Sequence, residues 1–154
     1  MSQIISAGKA PKIHIGAIDG DLSVVGWDGG RLAMILAVLD ARAGLSFAGT
    51  DVYLNVAGGL RITEPAADLA VAMALVSAQS QRPLDPQTVV FGEISLSGAL
   101  RSVAQTENRL KEAQKLGFST AILPVLPKRA AGSGLALREK SDLATAVADQ
   151  MGQD

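Results

Sequence analysis

The chain's 154 residues, 48% hydrophobic and 19% charged, suffice for one packed domain, and a net charge of −1 announces no strongly charged partner. With no Cys and a single His, His14, the composition excludes thiolate zinc sites, iron–sulfur ligation, disulfides, Cys nucleophiles and His-cluster metal sites, and leaves little room for a Ser–His–Asp triad. No apolar run approaches 18 residues and no charged-then-apolar leader is visible, which points to a cytoplasmic location without a membrane span.

Residues 1–22 read as a leader or a non-matching N-terminal segment, separate from a single domain over 23–154. Within them Ile13, Ile15 and Ala17 alternate with His14 and Gly16 as in a short strand, which makes His14 a strand residue rather than a ligand. From Asp28 the pattern turns helical. Asp28 suits the N-cap, Leu32, Ile35, Leu36 and Leu39 form one stripe, and Gly44 supplies the stop. DVYLNVA (51–57) alternates as a half-buried strand that Gly58 and Gly59 end. Glu64 and Pro65 open a second helix whose body, Leu69 to Val76, is apolar on every face. Such a helix belongs deep in the core or between subunits.

RPLDP (82–86) is a turn and TVVFGEISL (88–96) a buried strand, with SGALRS as a tight connection. Thr106 caps a third, polar helix with Leu110, Ala113 and Leu116 as its inner stripe and Gly117 as its end. TAILP (120–124) is a short buried strand. PKRAAGSG (127–134) has the composition of a mobile loop, LALRE (135–139) suits a last strand, and Ser141–Asp142 cap a final helix to Met151. Strands and helices in this mixture, without repeats, give an α/β or α+β domain.

Charge is unevenly placed. Residues 1–100 carry six basic and nine acidic side chains, whereas 101–140 carry eight basic and three acidic. That basic segment is either a solvated face or a weak anion-binding one. A phosphate loop of the G-x-x-x-x-G-K-[ST] kind is missing, since the one Gly-Lys pair, Gly8-Lys9, is followed by Ala10 and has no correctly spaced Gly before it. No ATPase resides in this stretch, and no cofactor is implied.

The most specific text is VVGWDGGRLAMILAVLDARAGL (24–45), GGLRITEPAADLAVAMALVSAQSQRPL (58–84), FGEISLSGALRSV and RLKEAQKLGFSTAILP. Over roughly 100 residues these segments resemble the C-terminal Lon-protease-like domain of the bacterial RadA (Sms) family of DNA repair proteins. The resemblance implies an α+β, Lon proteolytic-domain-like fold, a βαβ sandwich that assembles into rings, hexameric in the full-length family. It also implies upstream zinc and RecA-like ATPase modules. This chain, lacking Cys and a phosphate loop, contains neither and reads as an excised domain or a truncated product.

Active Lon-type peptidases pair a Ser nucleophile with a Lys base, because a hydroxyl needs an amine of lowered pKa to take its proton. By the resemblance, the nucleophile position falls on Ala66 and the base position on Glu107, so the dyad is degenerate and the domain non-enzymatic. A displaced dyad would have to use Ser77, eleven residues along from Ala66 and roughly 16 Å away by helical rise, with Lys111. Lys111 more simply pairs with Glu107 on an exposed face. The function that follows is ring assembly with weak, sequence-independent DNA contact. Arg61, Arg101 and Arg31, all at element ends, are the candidate phosphate contacts; Arg109, Lys111 and Lys115 read as a solvated outer face. A pure oligomerisation scaffold and a Ser/Lys peptidase are the competing readings.

Overall fold

Residues 14–16, 22–128 and 134–152 are described by the computed structural model; the readings for the rest of 1–21 and for 129–133 lie outside the described residues. Strand β1 (His14–Gly16) falls within the alternating stretch. A second strand, β2 (Leu22–Val25), has no sequence counterpart above. It leads through α1 (Gly29–Ala43) to β3 (Asp51–Asn55), and β2 and β3 pair in parallel as a βαβ unit with β1 antiparallel on the far side. The caps of α1 are those read from the sequence. The Asp28 carboxylate accepts the Arg31 amide at 2.7 Å, and Gly44 takes the left-handed conformation, φ 67°. Val52 and Leu54 face the core while Tyr53 and Asn55 face outward.

Pro65–Ala67 form a single 3-10 turn, and α2 runs Asp68–Ser80. This helix, apolar all round, packs against α1, the first strands and α4 (Leu143–Met151), with Leu69, Met73, Leu75 and Val76 fully buried. It therefore lies in the core and is not a face kept for a neighbour. Each such side chain contributes about 2 kcal/mol of burial. Asp142 caps α4 through the Thr145 amide at 2.7 Å.

The expected strand 88–96 is broken in two. β4 (Thr88–Val90) pairs in parallel with β7 (Thr120–Pro124), which pairs in parallel with β8 (Ala136–Lys140). β5 (Glu93–Ile94) leaves that sheet and forms a hairpin with β6 (Leu100–Arg101), within the expected connection. The break is at Gly92, whose N–H donates to the Ala66 carbonyl and whose own carbonyl accepts the Leu69 amide, at 2.9 and 3.0 Å. A side chain there would meet the Pro124 ring at 2.9 Å.

α3 (Thr106–Lys115) buries Leu110 and Ala113 against Val89, Phe91 and Leu123 in a second, smaller core. Two expectations for it are corrected. Leu116, assigned to the inner stripe, is 62% exposed because the helix ends before it. Gln105, in the left-handed region at φ 59°, is the N-cap; Thr106 is already helical and its hydroxyl donates to the Val103 carbonyl. Among the described residues the chain is thus one small α+β domain with four α-helices and mixed sheets, none of whose helices is long and apolar enough to cross a membrane.

Candidate functional site

Two clefts hold the chemistry. The first, of about 460 Å³, lies between Trp27, Asp28, Arg31 and Met34 on one side and Arg61, Ile62 and Thr63 on the other. Gly26 makes it possible. At φ 84° it turns the chain so that its carbonyl accepts the Ile62 amide at 2.8 Å, and a Cβ there would lie 2.5 Å from the Leu60 carbonyl. The 26–28 and 60–63 segments can approach only because no side chain stands between them.

The three candidate phosphate contacts differ in what their guanidinium groups already hold. Arg61 is exposed on the rim of this cleft, and Arg101 is exposed on β6. Neither guanidinium has an ion pair or hydrogen bond among the described residues. Arg31 is different, because its guanidinium already holds a carboxylate. Its Nε and Nη2 donate to Oδ1 and Oδ2 of Asp68, both at 2.5 Å, and Asp68 is fully buried. The Asp68 hydrogen bond, opposed in part by desolvation and reinforced by the charges of Asp68, Glu93 and Asp28, raises the Arg31 pKa further. Arg31 and Asp68 form a neutral pair, so the cleft's lining balances Arg61 against Asp28.

The second cleft, of about 370 Å³, is lined by Glu64, Pro65, Ala66 and Glu93 on one side and by Ser102, Val103, Ala104, Gln105 and Arg109 on the other. It holds Ala66, on which the resemblance to Lon-type peptidases puts the nucleophile and whose methyl group offers none. Glu107 is exposed on α3 and does not line it. The cation lining this cleft with Ala66 is Arg109, two residues beyond Glu107, which corrects the placement of Arg109 on a solvated face. Arg109 is 7% exposed; its Nε donates to the Ala104 carbonyl at 3.1 Å and its Nη2 to Glu64 Oε2 at 2.5 Å. A guanidinium stays protonated and cannot serve as the base that Lys would be.

Nor is Ser77 brought to this cleft. Its hydroxyl donates to the Arg82 carbonyl at 2.7 Å near the far end of α2, while Lys111 is exposed on α3. On α3 the surface ion pair is Lys115–Glu112, at 3.8 Å, rather than Lys111–Glu107. Among the described residues no three His, Cys, Asp or Glu side chains cluster as a metal-ligand set.

Sequence reasoning missed Asp68 and the Glu64–Arg109 pair. A signal for the first was present: a carboxylate in an otherwise apolar helix must find a cation.

A family model described as subunit ChlI of Mg-chelatase matches residues 31–126. Among curated proteins, the chain is 65% identical over 102 residues to DNA repair protein RadA of Brucella abortus (strain 2308), which covers 66% of this chain and 22% of that protein. It is 58% identical over 100 residues to RadA of Rickettsia typhi (strain ATCC VR-144 / Wilmington), covering 65% and 22%. RadA of Synechocystis sp. (strain ATCC 27184 / PCC 6803 / Kazusa) is 52% identical over 102 residues, covering 66% and 20%. The chain thus spans about a fifth of the length of these relatives. Apart from Trp27 and Asp28, the residues lining both clefts lie within the segment 31–126 that the family model matches. The resemblance to RadA read from the sequence holds, and the chain belongs to the family described as subunit ChlI of Mg-chelatase.

Proposed function

We propose that the chain is a non-proteolytic, Lon-like domain of a RadA-type DNA repair protein, serving subunit assembly and sequence-independent DNA contact through Arg61 and Arg101. The observation that carries the DNA reading is the contrast among arginines. Arg31, Arg82, Arg109 and Arg138 are bonded to carboxylates or backbone carbonyls, whereas Arg42, Arg61 and Arg101 are exposed and their guanidinium groups have no such partner among the described residues. Of these three, Arg61 lines the first cleft and Arg101 adjoins Ser102 of the second, while the Arg42 stem lies against Gly98. An exposed guanidinium on a rigid edge binds a phosphate without first breaking an internal bond.

The absence of peptidase activity is supported by the Ala66 cleft, which offers neither a hydroxyl at that position nor an amine base. Assembly matters because a single domain of net charge −1 binds DNA weakly, and repeated arginines around a ring add as avidity. With α2 in the core, assembly would draw on exposed apolar side chains such as Val25, Leu60 and Leu96.

The test is salt-dependent DNA binding by the assembled protein. Arg61→Ala and Arg101→Ala should each flatten the slope of log K against log salt by about 0.9, alike for all sequences. Lys111→Ala with Lys115→Ala is the control and should change little. Unchanged slopes in both arginine variants would refute DNA contact and leave the scaffold reading, which the near-neutral charge favours. Turnover of unfolded protein, abolished by Ser77→Ala, would restore the peptidase.

A further inference from the structure

The β5–β6 hairpin that carries Arg101 has two residues in each strand, far too little ladder to hold itself in place. At its tip, the Leu100 amide donates to the Ser141 carbonyl at 3.0 Å and the Leu143 amide to the Gly98 carbonyl at 2.8 Å. On the opposite strand, across from Leu100, a buried side chain supplies the further anchor. Asp68 Oδ2 accepts the Ile94 amide at 3.1 Å while the same carboxylate holds both nitrogens of Arg31.

A carboxylate with no exposed surface is strongly unfavourable unless its charge is paired and its oxygens are bonded. Here three donors, from α1 and β5, meet it. The strand register sets Ile94 opposite Leu100 and Glu93 opposite Arg101, so the amide that Asp68 grips is one residue from the cross-strand neighbour of Arg101.

We infer that Asp68 is the positioning residue for Arg101, and that Arg31 acts as the counter-ion that keeps Asp68 charged and fixed rather than as a phosphate contact. What Arg101 then binds rests on the DNA-contact reading above; the positioning does not. Arg31, Asp68 and Ile94 form a chain from the wall of the first cleft to the hairpin beside the second, so the rim arginine inherits its direction from a buried carboxylate.

Two readouts separate this inference from that reading. Hydrogen exchange at the Ile94 amide should accelerate at least about tenfold in Asp68→Asn, because its acceptor loses the bidentate clamp. Binding of the assembled protein to a fluorescein-labelled oligonucleotide should weaken by about tenfold in Arg101→Ala and similarly in Asp68→Asn. In the double variant the two losses should not accumulate, while Asp68→Asn and Arg61→Ala should combine multiplicatively. A merely structural defect would instead add its loss in both backgrounds, and that result would overturn the proposal. So would unchanged exchange at Ile94. If Arg101→Ala leaves DNA binding intact, the DNA reading fails at Arg101 while the exchange result still decides the positioning. Should Asp68→Asn not fold, Arg31→Lys, which keeps the charge and loses the fork, must accelerate Ile94 exchange or the inference falls.

Discussion

In the cleft over Ala66, Arg109 is buried and bonded to Glu64 and the Ala104 carbonyl, whereas on the rim of the cleft beside Trp27, Arg61 is exposed and bonded to nothing among the described residues. Both residues are arginines beside a groove, and only the second is exposed with no internal bond to break. Arg31 shows how misleading position alone can be. It lines the same cleft as Arg61, yet Asp68 occupies its fork. Proximity to a groove makes a cation a candidate; its existing partners decide what it can bind.

The sharpest way to break this comparison is to remove the carboxylate that separates Arg31 from Arg61. Asp68→Ala leaves a part-buried guanidinium and the Ile94 amide without their acceptor. Stability in a urea titration should fall by about 3 kcal/mol, whereas Arg61→Ala should cost under about 0.5 kcal/mol. Equal losses would mean that Arg61 is engaged as firmly as Arg31.

A second measure uses acid. Asp142, chiefly through its bond from the Thr145 amide and also through the Ser141 and Thr145 hydroxyls, has its pKa lowered. Asp149 is lowered chiefly by its hydrogen bond from Lys140, aided by Arg138. A depressed folded-state pKa contributes stability that is complete above the unfolded value of about 3.9 and is lost as pH falls through the lower folded value. The stability of the wild type should therefore decline below about pH 4. Asp142→Ala should cost about 1 kcal/mol at neutral pH as a lost cap and soften that decline.

Smaller again is the influence of Glu93, which stands cross-strand from Arg101 and also acts on Arg31. Glu93→Gln removes a competing negative charge and should strengthen DNA binding of the assembled protein by about threefold at low salt, with the gain fading as salt rises. A loss of affinity would mean that Glu93 orients Arg101 rather than opposing it. Finally, Ala66→Ser with Glu107→Lys should yield no labelling by a serine-directed phosphonate, because the new amine would sit on the exposed face of α3 outside the cleft. Labelling of that variant would show that an amine at position 107 reaches the hydroxyl at position 66.

The sequence by itself determined the order of helices and most strands, the capping of α1 by Asp28 and Gly44, and the capping of α4 by Asp142. These are set by neighbours within a few residues, where side-chain oxygens and left-handed glycines act locally. It also determined that α2 would be buried, since no face of Leu69–Val76 is polar, and it carried the likeness to RadA proteins.

Only the tertiary structure decided the rest. β2 and the division of 88–96 at Gly92 depend on contacts with residues distant in sequence, Val52–Asn55 for the one and Ala66, Leu69 and Pro124 for the other. Whether α2 lay in the core or between subunits could not follow from its composition, because an apolar surface is satisfied by either. The roles of the arginines were least legible of all. Arg31 and Arg109 meet Asp68 and Glu64 across separations of 37 and 45 residues. A charge pairs with whatever the fold brings within about 4 Å, and no local pattern encodes that distance.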